Sequence, residues 1–452
     1  MSARPKITVA VPFPVHPPVG GGQRRVSEVY RHMAFDFDVE LVTIASSDAE
    51  PADIEIAPGL REIRIPKSAA QQAEETRLEQ EVGGIPVGDV GIRLFGVHTP
   101  EYARRLTRSM DDADLVVASH PYAVAAVPDA LHRHLLVYEA HNVEYLLKKE
   151  VFHAAGATGE RLAETVRRLE ADVCRAAQLI FCCSETDREE LRRLYAVDPT
   201  PVVVAPNGVD VAAIPFTSPE ARQAVKVQLG LDGEPIALFV GSWHPPNLDA
   251  AQLVFDIARV TPDVKFLLAG SQCRPLGDRP RPKNVGLMGV VDDDTLGTLL
   301  AAADVALNPM VGGSGTNLKV ATYLAAGVPV ITTSVGARGY ELVDGDNAVI
   351  ASAEEFPDKI RCLLGDRALA ATLARRGREL VTTRHNWKVI ASDMAAAMRS
   401  LVGLPTPADA GDALLDAVCD AVTDVGGSAD AGLMRQVAVA MIELGFDERR
   451  RP

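Results

Sequence analysis

The sequence predicts an α/β fold made of two doubly wound parallel-sheet domains, and three observations predict it. Short β-branched runs alternate with amphipathic stretches along most of the chain, the alternation occurs twice, and a glycine-rich loop precedes a helix in each half. Nearly continuous apolar strands separated by helices require cover on both faces, which is the arrangement of a parallel sheet between helical layers.

Taken in order, the first-half strands are expected in "ITVAVPF", "VELVTIA", "DLVVAS", "LLVYEA", "LIFCCS" and "PVVVAP". Between the first two lies "RVSEVYRHM", where Val26, Val29, Tyr30 and Met33 fall on one helical face. The second-half strands are expected in "PIALFVG", "VKFLLAG", "VGLMGV", "DVALNP", "VPVITTS" and "NAVIAS". The seam falls at "VVVAPNGVDVAAIP", where Pro206, Asn207 and Gly208 read as a turn. Two Rossmann-like domains are therefore expected at residues 1–206 and 207–386. A helix over 387–404 returns towards the first domain, and 405–452 reads as a helical tail for packing or assembly. In open α/β sheets ligands sit beyond the carboxyl ends of the strands, so two such domains joined at a hinge place a two-substrate site in the cleft between them.

The chain of 452 residues accommodates two domains and a tail, and with 47% apolar residues each half can bury a core. A net charge of −15 excludes the concentrated positive footprint of a nucleic-acid binder and leaves at most peripheral contact with an anionic membrane. No apolar run approaches the roughly 20 residues of a membrane span. The opening "MSARPKITVAVPFPVHPP" is interrupted by Pro12 and Pro14 and reads as a first buried strand rather than a signal peptide. The six cysteines (174, 182, 183, 273, 362 and 419) have neither a disulfide framework nor metal-ligand spacing, as expected of a reduced, cytoplasmic protein.

The stretch with the most chemistry is "GGSGTNLKVATYLAAGVPVITTS", residues 312–334. Gly312, Gly313 and Gly315 let backbone amides approach a ligand, Thr316 or Asn317 can cap the helix that follows, and a helix N-terminus attracts a diphosphate. Lys319, one turn in, adds a point charge to such a pocket; the competing reading is a solvated surface lysine. In the first half, "VPFPVHPPVGGGQRR" puts Gly20, Gly21 and Gly22 between a strand and a helix. Gln23, Arg24 and Arg25 then either meet an anionic acceptor or form a solvated first turn, and the second reading is preferred. His120 in "VVASHPY" and His141 in "VYEAHNVEY" both follow strands and are expected at the cleft, with Glu139 or Glu144 available to orient His141. Trp243 and His244 in "GSWHPPN" follow the first strand of the second half, suited to phosphate or sugar contact or simply to packing. "VDDD" at 291–294 reads as a helix cap, and with no Asp-x-Asp pair at a strand end no metal is expected.

"EAHNVEYLLKKE", "RLEADVCRAAQLIFCCSETDREELRRLY", "VVVAPNGVD", "LFVGSWHPPNLDAAQLV" and "GGSGTNLKVATYLAAGVPVITTSVGARGYELVDGDNAVI" stand in this order over roughly residues 6–402. In that order they resemble the retaining glycosyltransferases of family 4, whose GT-B fold sets two Rossmann-like domains across a cleft. The resemblance implies transfer of a sugar from a nucleotide-sugar donor, held by the second domain, to a small-molecule or glycan acceptor, held by the first. It implies retention of configuration without a metal or other cofactor. Carried over position by position, it puts donor contacts at Gly312, Gly313, Ser314, Gly315, Thr316, Asn317, Lys319, Thr322, Ser242, His244, Asn247 and Met288. It also implies that the loop of Gly20, Gly21, Gly22 and Gln23 bends over the diphosphate and acceptor, and that His141 and His120 line the reacting sugar. The chain departs from the family at four of these places. Two glutamates eight positions apart are replaced by Ser314 and Thr322, and an arginine–lysine pair by Ser242 and Asn247. The departures keep a second reading open, a catalytically impaired auxiliary or binding protein with the same fold. A third, an NAD-dependent oxidoreductase, is disfavoured because "GGGQRR" does not fit the dinucleotide fingerprint.

Overall fold

The computed structural model describes residues 4–277, 279–313 and 315–404. The first half is an eight-stranded sheet of β1 (Lys6–Val11), β2 (Asp38–Ala45), β3 (Ala52–Ala57), β4 (Leu60–Pro66), β5 (Leu115–Ser119), β6 (Leu136–Glu139), β7 (Leu179–Cys182) and β8 (Val202–Val204). Their spatial order is β3-β4-β2-β1-β5-β6-β7-β8. The second half is a six-stranded sheet of β9 (Ile236–Val240), β10 (Lys265–Ala269), β11 (Val285–Gly289), β12 (Val305–Asn308), β13 (Val330–Thr332) and β14 (Val349–Ile350), ordered β11-β10-β9-β12-β13-β14. All pairs are parallel except β3 with β4.

That antiparallel pair is the difference from the sequence-based expectation, which has six strands in the first half. "ADIEIA" and "LREIRIP" alternate charged residues with isoleucine instead of running apolar, because the hairpin lies at the sheet edge with one face in solvent. Gly59, at φ 82°, makes the turn between them.

Val26, Val29, Tyr30 and Met33 of the helix Gly21–Met33 are buried, as their spacing predicts. The same core takes in Trp387, Ile390, Met394 and Met398 from the helix Trp387–Leu401, so the chain's last described helix packs on the first sheet. Two crossings join the halves, tied by a bridge between Val209 and Asn386. The tail expected at 405–452 lies outside the described residues. Five cysteines are free thiols, and Cys419 also lies outside the described residues. Among the described residues, no helix is long and apolar enough to cross a membrane. Asp292 caps the helix Asp293–Ala302 by accepting from the Thr295 amide, the role expected of the "VDDD" stretch.

Candidate active site

Strand ends supply the polar groups of both halves. In the second half, β9 ends at Val240 and the chain turns through Ser242 and His244 into the helix Pro245–Val260. Opposite stands the helix Leu318–Ala325, whose Lys319 points back at that turn. Lys319 Nζ donates to Asn247 Oδ1 at 2.5 Å, Asn247 Nδ2 donates to Ser242 Oγ at 3.0 Å, and Ser242 Oγ lies 3.0 Å from His244 Nδ1. Four of the residues expected at the donor thus form one hydrogen-bonded chain. Lys319 also stands 4.6 Å from the centre of the Phe239 ring. Its side chain keeps some exposed area, but the ammonium is enclosed, and burial pulls it down to about 7. The reading of Lys319 as a solvated surface residue is therefore overturned. Trp243 stacks on His244, ring centres 4.5 Å apart, and remains 56% exposed.

The glycine loop takes conformations that suit glycine, with φ of 102° at Gly313 and 70° at Gly315; Gly312 faces open space, and Ser314 lies outside the described residues. Asn317 is the N-cap of the helix Leu318–Ala325, but its side chain makes no capping bond. Its Nδ2 donates to the Gly336 carbonyl at 3.4 Å, and Thr316 Oγ1 accepts from Asn207 Nδ2. Neither side chain caps, contrary to expectation; the Val320 amide donates to the Asn317 carbonyl at 2.9 Å, and the Leu318 and Lys319 amides ahead of it are left for a ligand. Thr322 turns its hydroxyl back to the Leu318 carbonyl at 3.3 Å. Thr322 and Leu318 line a cavity of about 250 Å³ together with Asp293, Leu296, Arg24 and Glu28. Met288 lies in β11, 42% exposed and outside the Lys319 chain.

In the first half His120 follows β5 and His141 follows β6, and their ring centres are 4.0 Å apart. His120 holds a left-handed φ of 69°, a strained conformation for a residue with a Cβ. Both rings are buried. Burial, with the neighbouring His141, lowers His120 to about 4, and burial lowers His141 against the pull of Glu139. His141 Nε2 lies 3.1 Å from Ser119 Oγ and 3.5 Å from Glu139 Oε1; the carboxylate can only accept, which favours the tautomer with the proton on Nε2 and Nδ1 as an acceptor. Nδ1 of each ring is buried and has no hydrogen-bond partner. A Cβ on Gly22 would stand 3.8 Å from His141 Nδ1, so this nitrogen faces the glycine turn. Of the two carboxylates expected near His141, Glu139 is the one that reaches it. Glu144 instead accepts from Tyr122 Oη at 2.7 Å and stands 3.9 Å from His120.

In the segment 20–25, one expectation needs correction, that for Arg25, and Gln23 is engaged within its own loop. Its Oε1 accepts from the Val19 and Gly20 amides and its Nε2 donates to the Pro14 carbonyl, so it fastens the loop. Arg25 is not in a solvated first turn but 1% exposed, donating to Glu139 Oε1 at 2.9 Å, to the Pro206 carbonyl at 2.9 Å and to Asn207 Oδ1 at 3.2 Å. It precedes Val29 by one helical turn, which puts it on the buried face of its helix. That spacing was the available signal. Asn142 is a further residue that sequence reasoning passed over.

The loops of the two halves meet. A Cβ on Gly21 would lie 3.0 Å from Leu318 Cδ1, and one on Gly315 would lie 2.8 Å from Asn142 Oδ1. Among the described residues, no group of three or more His, Cys, Asp or Glu is placed to hold a metal ion.

Residues 19–213 match the family model described as Glycosyltransferase Family 4, and residues 234–366 match the one described as Glycosyl transferases group 1. The chain is 27% identical over 402 residues to a D-inositol 3-phosphate glycosyltransferase of Xylanimonas cellulosilytica, covering 83% of this chain and 90% of that protein. It is 25% identical over 291 residues to a glycogen synthase of Mycobacterium tuberculosis, covering 62% of this chain and 67% of that protein. Among solved structures, a sucrose-phosphate synthase from Thermosynechococcus elongatus superposes with a TM-score of 0.67 at 20% identity, over 88% of this chain and 100% of that one. Anabaena HepE in complex with UDP-glucose superposes with a TM-score of 0.60 at 18% identity, over 88% and 100%. With both halves matched in order and two parallel sheets facing one cleft, the chain belongs to the family 4 (group 1) glycosyltransferases of GT-B fold.

Proposed function

We propose that the protein transfers a sugar from a nucleotide-sugar donor to an acceptor hydroxyl with retention of configuration, without a metal ion. The observation that carries this reading is the chain Lys319–Asn247–Ser242–His244 at the strand ends of the second half. It puts a cation and polar hydrogens where the family's arginine and lysine are missing. The diphosphate would lie against Lys319 and the Leu318 and Lys319 amides at the start of the helix Leu318–Ala325, and the nucleoside would extend towards Thr322. The sugar would face His141 and His120.

In the reaction the bond from the anomeric carbon to the diphosphate oxygen breaks, the acceptor oxygen bonds to that carbon on the same face, and the acceptor proton passes to the departing diphosphate. The protein's part is positioning and charge stabilisation. Lys319 meets the charge on the leaving group, and His141 Nδ1 accepts from a hydroxyl brought up to it. Loop contact across the halves excludes water.

A thermal-shift panel of UDP-, GDP-, TDP- and ADP-sugars tests donor binding, because a ligand that binds only the folded protein raises its melting temperature. Product configuration, followed by NMR in the presence of EDTA, then tests retention and metal independence. The second reading, an auxiliary protein with impaired catalysis, is favoured by one observation: the Thr322 hydroxyl is already engaged with its own helix. Donor binding without transfer or hydrolysis would establish it.

A further inference from the structure

Asn207 sits at the first crossing between the halves, and three of its polar groups are engaged. Its Oδ1 accepts from Arg25 of the first half at 3.2 Å, and its Nδ2 donates to Thr316 Oγ1 in the glycine loop of the second. Its carbonyl faces His385 Nδ1 at 3.0 Å, and the other nitrogen of that ring meets Glu341 at 2.8 Å. The path continues inward: Arg25 Nε to Glu139 Oε1 at 2.9 Å, then Glu139 Oε1 to His141 Nε2 at 3.5 Å. The links from Thr316 through Asn207 and Arg25 to Glu139 are hydrogen bonds, the last step to His141 is a 3.5 Å charge contact, and Arg25 and Glu139 are almost wholly buried. One side chain therefore joins the loop expected to hold the donor to the carboxylate that fixes the tautomer of His141.

We propose that Asn207 is a positioning residue that latches the closed form, so that docking of the Thr316 loop and alignment of Arg25, Glu139 and His141 occur together. This rests on the reading of the cleft as a sugar-transfer site. Asn207 does not touch the reacting atoms. It acts through Arg25, whose guanidinium is held at the hinge only while Asn207 and the Pro206 carbonyl accept from it. With the loop undocked, Asn207 Nδ2 loses Thr316 and the amide is free to turn, which loosens Arg25 and with it Glu139. The groups facing the His141 ring from the surrounding elements are Glu139, Ser119 and His120; Arg25, Tyr30 and Cys183 stand behind Glu139. Among them, Arg25 is the one that also reaches the hinge.

The test is a double-mutant cycle in turnover with Asn207→Ala and His141→Ala, two residues that do not touch. Independent sites multiply, whereas members of one network do not. Asn207→Ala is expected to lower kcat by about tenfold with donor KM within about threefold, and the double variant to fall little below His141→Ala alone. Asn207→Asp keeps the acceptor for Arg25 and can accept from the Thr316 hydroxyl, so it should recover most of the lost rate. Thr316→Val cuts the same link from the other side and should show the same non-additivity, which covers the case of an Asn207→Ala protein that does not fold. Multiplicative losses, or an unchanged rate in Asn207→Ala, would overturn the latch. A readout independent of activity separates its failure from that of the functional reading: the nitrogen-15 histidine spectrum. The His141 ring is expected to show a single Nε2–H tautomer in the wild type and a tautomer mixture in Asn207→Ala. An unchanged ring signature sinks the latch, whereas a wild type that neither binds nor transfers any nucleotide-sugar sinks the functional reading.

Discussion

Lys319 Nζ and Asn247 Oδ1 are 2.5 Å apart, and this hydrogen bond joins the helix behind the glycine loop to the turn after β9. At a position where the family resemblance implies a lysine, this chain has a neutral amide that receives a lysine from another element. Lys319→Ala should weaken nucleoside diphosphate binding by about 1.5–3 kcal/mol, the range for a hydrogen bond to a charged group, and leave the bare nucleoside unaffected. The binding should also depend on pH. Burial holds the free ammonium near 7, so the protonated form that a diphosphate prefers is lost as pH rises through that value. Affinity should fall between about pH 7 and 9 in the wild type, by at most roughly tenfold per unit, and stay level in Lys319→Ala. Calorimetry across that range checks both points. A parallel loss of diphosphate and nucleoside affinity would assign the phosphate to another cation.

His141→Ala should lower turnover by at least about tenfold while nucleoside diphosphate affinity stays within about threefold, because the ring stands across the cleft from the nucleotide. The working form is the neutral ring, with Nδ1 as acceptor. Burial holds His141 below its ordinary value of 6.5, so the rate should persist into mildly acidic solution and fall only as pH drops through the lowered value. Glu139 favours the charged ring, so Glu139→Gln should move this acid limb to still lower pH. A limb that moves upward would mean that the carboxylate acts in another way.

Much of this was legible in sequence, for reasons particular to each segment. "ITVAVPF" and "PIALFVG" are apolar throughout because their strands are covered on both faces, and such runs read plainly. The edge strands β3 and β4 did not, because "ADIEIA" and "LREIRIP" present one face to water. Ser242, His244, Asn247 and Lys319 were each placed near the donor, but their connection spans 72 residues between Asn247 and Lys319 and appears only on folding. Arg25 is hard to place from sequence, because its charge points to solvent while its helical phase points to the core. The partner that makes its burial tolerable, Glu139, lies 114 residues away.

Gly315→Ala tests whether closeness of the two halves matters for transfer. Its φ of 70° costs an L-residue roughly 1–2 kcal/mol, and the added Cβ would stand 2.8 Å from Asn142 Oδ1 in the other half. The loop would have to withdraw from the first half. Turnover should fall more than nucleoside diphosphate affinity, and small-angle scattering with ligand bound should show a more open molecule. The control is Gly312→Ala, where an added Cβ meets open space. If the two variants behave alike, contact between the halves at Gly315 is not what turnover requires.

The Arg25–Glu139 pair sets the last prediction, because it bears on stability as well as on His141. Both side chains are almost wholly buried, and Glu139 also accepts from Tyr30 Oη at 2.9 Å. Burial alone would raise the carboxyl. His141, Arg25 and Tyr30 outweigh it and hold Glu139 below its ordinary value of 4.5. A depressed acid contributes stability that is present above its unfolded value and lost as pH falls towards its folded one. Unfolding free energy should therefore drop on acidification below about pH 4.5, and Glu139→Gln should lose much of that acid sensitivity. Breaking one partner of a buried pair costs about 3–5 kcal/mol because the other charge is left unpaired, so Arg25→Met should destabilise by that amount. Removing both charges in Arg25→Met with Glu139→Leu should restore most of it, since a buried ion pair is often no more stabilising than an apolar pair of similar volume. Turnover in the double variant should nevertheless stay low, because the carboxylate that orients His141 is gone. Chemical denaturation of the three variants, with transfer assays on each, separates the two roles. If the double variant regained activity along with stability, Glu139 would serve the fold alone.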